Sequence, residues 1–170
     1  MGHHNTFNGG RKDWSSTITQ KYSEEIRKAL NAERIIYSEQ KTGEDDPVRL
    51  ALDYAGIDAI AIYSRYKDAK GISLRATRWG APQVTIRSRE HDTWTKPSQY
   101  IAPAYHVQLI TNEGRAHTLC IVDLESFRSL PDPTIYLERV DTRQSGHFYR
   151  LTASAFTLPC VRQYSLETCV

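Results

Sequence analysis

The sequence predicts an α+β domain in which an N-terminal helix packs on a mixed, largely antiparallel sheet. Three observations lead there. One long helical periodicity stands near the N-terminus, alternating strand patterns dominate from Ile57 onward, and the connections between them are short. The chain has 170 residues, enough for one domain with a core that needs no metal or disulfide.

The elements follow in order. Residues 1–15 are polar, contain a Gly-Gly pair and read as a flexible lead. Ser15 or Ser16 is placed to cap a helix reaching to Ala32, with Ile18, Tyr22, Ile26, Ala29 and Leu30 forming its apolar face. Glu25 borders that face. Val48 to Tyr54 is either a helical turn or an edge strand. Ile57 to Ser64, Gly71 to Arg78 and Val84 to Arg89 read as three strands of one antiparallel meander. Lys96 to Ala104 reads as a short helix or turn. Tyr105 to Thr111 and His117 to Val122 read as strands joined at Asn112-Glu113-Gly114. Asp123 is placed to cap a short helix ended by Pro131, and a late hairpin turns around Gln144-Ser145-Gly146. The expected organisation is a lead (1–15), an α+β core (16–130) and a C-terminal hairpin extension of the same domain (131–170).

Composition excludes several classes. No stretch approaches the roughly 18 consecutive apolar residues of a membrane span, and the first ten residues lack the apolar segment of a signal peptide. A cytoplasmic protein without a membrane partner is the expectation. Cys120, Cys160 and Cys169 are odd in number and lack zinc-ribbon spacing, so a reducing compartment is expected and Cys120 reads as a small buried hydrophobe. The net charge of +2 is unevenly spread. Arg65, Lys67, Lys70, Arg75, Arg78, Arg87, Arg89 and Lys96 face only Asp68, Glu90 and Asp92 between Ile60 and Tyr100. An anionic partner for this segment and simple solvation of it both fit that excess.

Two short motifs carry a resemblance. Gly56-Ile57-Asp58 puts a carboxylate at the opening of an apolar strand, and Val84-Thr85-Ile86-Arg87-Ser88-Arg89-Glu90 follows two strands later. Together with the leading helix and the Cys120 to Arg128 segment, they resemble the PD-(D/E)xK, restriction-endonuclease-like nuclease superfamily, including its phage-encoded members. The resemblance spans roughly Ser16 to Arg128. It implies an αβββαβ core, here followed by C-terminal strands, and hydrolysis of DNA phosphodiesters with Mg²⁺ or Mn²⁺. Hard cations take oxygen ligands, hold the substrate phosphate and acidify an attacking water, while a nearby basic side chain stabilises the transition state. Carried onto this chain, the resemblance implies Asp58 as the main metal ligand, Glu25 or Asp53 as auxiliary ligands, and Arg89 beside Asp58 in catalysis.

The chain departs from the superfamily where an acid-x-Lys pair is expected. It has Arg87-Ser88-Arg89 there, and Ser73-Leu74-Arg75 or Arg75-Ala76-Thr77 on the preceding strand. Either the second ligand has moved to Glu90, Asp53 or Glu25, or the metal site is gone and the arginines bind phosphate directly. The nucleic-acid contacts expected on both readings are Arg75, Arg78, Arg87, Arg89 and Lys96. Asp58 as a plain turn-capping residue, and the domain as an unrelated protein-interaction module, are the remaining alternatives.

Overall fold

A computed structural model describes residues 6–38, 51–52, 55–66, 68–77, 83–87, 103–142 and 146–166. The domain is α+β, with few helices and a mixed, mostly antiparallel main sheet. Among the described residues no helix is long and apolar enough to cross a membrane.

Helix α1 spans Thr6–Lys21 and α2 spans Ser23–Leu30. The expected face is the observed one: Ile18, Ile26 and Leu30 are buried, with Tyr22 and Ala29 packed beside them. Two details differ from the sequence reading. The helix begins ten residues before Ser16, so residues 6–15 are helical rather than a lead. Tertiary anchoring overrides the weak local propensity here: Trp14 packs on the core and the Ser15 hydroxyl accepts the Ala76 amide at 3.0 Å. The helix also breaks at Tyr22, whose hydroxyl accepts the Ala116 amide at 2.9 Å. Asn31, with φ of 53°, turns the chain out of α2 in the left-handed conformation that asparagine tolerates.

Six strands form the main sheet: β1 (Arg34–Tyr37), β2 (Ala59–Tyr63), β3 (Asp68–Thr77), β5 (Tyr105–Asn112), β6 (Arg115–Asp123) and β9 (Val161–Ser165), neighbours in that order. Every pair is antiparallel except β3–β5, which is parallel. A second sheet holds β4 (Thr85–Arg87), β8 (Gly146–Leu151) and β7 (Leu137–Thr142), in that order and all antiparallel. The expected hairpins are present. Glu113 and Gly114, at φ of 49° and 78°, make the two-residue turn between β5 and β6. The Asp123 carboxylate caps the short helix Leu124–Arg128 by accepting the Ser126 amide at 3.0 Å. Of the expected Val48 to Tyr54 element only Ala51 and Leu52 are described; both are helical, with the Ala55 amide bonded to the Ala51 carbonyl.

The third strand of the expected meander is corrected. Val84 to Arg87 does not lie beside β2 or β3; it pairs with β8 in the second sheet. The meander is β1-β2-β3, and β5 occupies the far edge of β3. Val84 and Ile86, both fully buried, fill the space over the opposite face of the main sheet with Cys120, Val122, Phe127 and Leu151.

Period-two alternation divides the main sheet into two packed faces. Ala59, Ala61, Ile72, Leu74, Val107, Leu109, Leu119 and Ile121 pack with α1 and α2. Cys120, Val122 and Val161 pack with β4, β8 and the Leu124–Arg128 helix. Strand β5 is buried on both faces. Burial pushes the Cys120 thiol up to about 12, so it stays protonated and behaves as the small hydrophobe expected. Tyrosines fasten the helical layer: Tyr37 donates to the Thr19 carbonyl and Tyr63 to that of Leu30.

Gly71 marks the tightest passage. A Cβ there would lie 2.8 Å from Cδ1 and 3.0 Å from Cγ1 of the buried Ile57. Gly71→Ala is expected to destabilise the domain by about 1–3 kcal/mol through overpacking. Adding Ile57→Val, which removes Cδ1, is expected to return part of that loss, as read by urea unfolding in a double-mutant cycle. Purely additive effects would contradict the contact.

Candidate functional site

The Gly-Ile-Asp motif has a separate physical task for each residue. Gly56, at φ of 72°, reverses the chain out of the preceding helical turn, and the Ile57 amide closes that turn onto the Leu52 carbonyl at 2.9 Å. Ile57 is buried against Gly71. Asp58 opens β2 and is half-buried. Its amide donates to the Ile72 carbonyl at 2.8 Å, and its carboxylate Oδ2 accepts the Leu74 amide at 2.7 Å.

The position of Asp58 follows from unequal strand lengths. β2 begins opposite Ile72, whereas β3 continues to Thr77. The amides of Leu74 and Ala76 face the side on which β2 offers no further carbonyls. Asp58 Oδ2 receives the first and Ser15 Oγ the second. The carboxylate thus takes the place of a missing strand.

Next to it, β3 turns Ser73 and Arg75 toward the second sheet. Arg75 Nη1 donates to Thr85 Oγ1 at 2.8 Å and lies 3.4 Å from the Thr85 carbonyl, fastening β3 to β4 two residues before Arg87. Gln108, fully buried on β5, meets the same strand. Its Nε2 donates to the Gln83 carbonyl at 2.7 Å and its Oε1 accepts the Thr85 amide at 2.9 Å. These backbone partners assign the amide's orientation. His106 Nε2, 3.3 Å from the same Oε1, is therefore the donor, and Nδ1, 3.4 Å from Ser73 Oγ, is the acceptor in the neutral ring. Ser73, His106 and Gln108 form a buried polar row between the two sheets.

The sequence-expected site residues separate into three groups. Asp58 binds the Leu74 amide and Arg75 is the next residue of β3, with its guanidinium at Thr85. Glu25 stands on the exposed side of α2, whose buried side carries Ile26 and Leu30. Asp53, Arg78, Arg89, Glu90 and Lys96 lie outside the described residues, and Arg87 is described only as a backbone position paired with Phe148. Among the described residues no group of three His, Cys, Asp or Glu side chains is arranged to hold a metal ion. Ser15, Thr85 and Gln108 were not singled out from sequence. Polar residues alternating within the apolar strand Tyr105 to Thr111 were the available sign of the buried row.

Comparison with models of protein families, with curated proteins and with solved structures yields no match.

Replacing Asp58 tests its structural task. Asp58→Ala leaves the Leu74 amide without its acceptor and is expected to cost about 1–3 kcal/mol in urea unfolding. Asp58→Asn retains a side-chain carbonyl at that place and is expected to cost less. Wild-type stability for both variants would show that the bond is dispensable.

Proposed function

We propose that this domain binds nucleic acid, DNA first, through arginines that contact phosphate, while Asp58 serves the strand edge; with β4 in the second sheet, away from β2, the reading does not rest on a nuclease-like core. The observation that carries this reading is the Asp58–Leu74–Arg75 arrangement. In a metal-dependent nuclease of the resembling superfamily, the aspartate at the mouth of the second meander strand works with an acid on the third. Here the third strand offers Ser73-Leu74-Arg75, and the Asp58 carboxylate is engaged by the Leu74 amide. An arginine where the superfamily has an acid supplies no metal ligand and suits an anion. With one Asp58 oxygen engaged by the Leu74 amide and no group of three His, Cys, Asp or Glu side chains among the described residues arranged to hold a metal ion, those residues do not fit a Mg²⁺ or Mn²⁺ centre.

The strand order and the position of Arg75 bear on this reading. The chain runs from helices into β1-β2-β3, then into β4 of the second sheet, and returns to the main sheet as β5, parallel to β3, so only the coarse α+β class agrees with the resemblance. Arg75 is fastened to β4, the strand that ends at Arg87, so these two basic residues of the segment belong to neighbouring positions of the fold.

The test is fluorescence anisotropy with labelled single-stranded and duplex DNA over a salt series. Binding is expected to weaken steeply with salt. Arg87→Ala combined with Arg89→Ala is expected to weaken it for all sequences and to lower the salt slope by about one to two. Unchanged affinity and slope would remove these arginines from the interface. DNA cleavage with Mg²⁺ or Mn²⁺ that is lost in Asp58→Asn would instead establish the metal-dependent nuclease.

A further inference from the structure

Between the second sheet and β9 lies an open cleft of about 420 Å³. That is within the ~300–1,000 Å³ range of small-molecule sites. Its apolar surface includes the half-buried ring of Phe156, and its polar lining includes Gln83, Gln163, Thr152 and Arg150. Arg150 is held by Glu138, with Nη2 and Nε at 2.6 and 3.1 Å from the same carboxylate oxygen. Four features of this lining define what it can recognise.

An aromatic ring beside aliphatic surface favours a flat, weakly polar ligand. Two glutamine amides each present a donor and an acceptor together, the pattern that matches the edge of a nucleobase and best that of adenine. The ion pair leaves the cleft without an uncompensated positive charge, so a phosphate entering it would meet Glu138 as well as Arg150. Finally, the Gln83 backbone is fixed before any ligand arrives, because its main-chain carbonyl accepts from buried Gln108, which also receives the Thr85 amide. Gln83 thus stands at the head of the strand that Arg75 grips and that runs into Arg87.

We infer that this cleft takes an unstacked nucleobase, preferentially adenine, from a single strand whose phosphates are held by basic side chains outside the cleft. The inference rests on the nucleic-acid reading above and deepens it: phosphates go to the arginines and the base to the neutral cleft. Stacking on an aromatic side chain with edge contacts to amides is the usual physical basis for holding single-stranded bases.

The experiment compares oligo-deoxyadenosine, an abasic strand of equal length, adenosine alone and duplex DNA as probes. The variants are Phe156→Ala and Gln163→Ala. Gln163 is exposed on edge strand β9, so its truncation leaves the core intact if loss of Phe156 perturbs folding. Both variants are expected to weaken oligo-deoxyadenosine binding by about tenfold and to leave duplex and abasic-strand binding unchanged. Adenosine binding lost in the same variants would support the same base site and identify a free nucleoside as an additional source. Wild-type affinity of both variants for oligo-deoxyadenosine, with binding still lost in Arg87→Ala/Arg89→Ala, would overturn the cleft assignment and leave the nucleic-acid reading standing. Absence of binding to every probe would overturn both.

Discussion

The structure depends on how the edge of β3 is completed. A β-sheet interior cannot leave backbone amides without partners, because each such amide forfeits about 1–3 kcal/mol. β3 outruns β2, so its Leu74 and Ala76 amides need acceptors from elsewhere. Asp58 arrives from the start of β2 itself and Ser15 from the middle of α1. One bond fixes the register between β2 and β3. The other fixes the position of the helical layer above them. On its opposite edge β3 takes β5, the only parallel neighbour in the main sheet among the described residues.

That parallel strand also joins the two sheets. Its odd-numbered residues Val107 and Leu109 belong to the core under the helices, while His106 and Gln108 face the second sheet. A buried polar row is costly unless its members are satisfied. Here Gln108 is bonded at both ends of its amide, and the strand it holds is the one Arg75 also grips. Fixing β4 in this way sets the geometry of the proposed interface, since Gln83 precedes it and the arginine-rich stretch follows. The same interactions thus serve packing and the proposed recognition.

Much of this was legible in the sequence, and the limits have physical causes. Helical spacing from Ile18 to Leu30 identified the buried face because an amphipathic helix advertises it every third or fourth residue. Asn112-Glu113-Gly114 identified its turn because a tight hairpin demands positive φ. Alternation at Val84 to Arg87 identified a strand but not its partner, since a pattern of period two reports which face is buried and not which sheet buries it. The Gly-Ile-Asp motif was visible as a strand opening. Its task was not, because that depends on β3 being longer than β2, a property of the pairing rather than of either segment alone. Likewise, residues 6–15 look unstructured until Trp14 and Ser15 meet the sheet.

The central claim is that the Asp58 carboxylate serves the β3 edge and does not hold a metal ion. The most direct measurement is a Mn²⁺ titration followed in the ¹H–¹⁵N spectrum, where a bound paramagnetic ion broadens nearby amides selectively. The expected result is that the Asp58 and Leu74 resonances keep their intensity relative to the rest of the domain. Selective, saturable broadening of those two resonances, absent in Asp58→Asn, would contradict the claim and place a cation on that carboxylate.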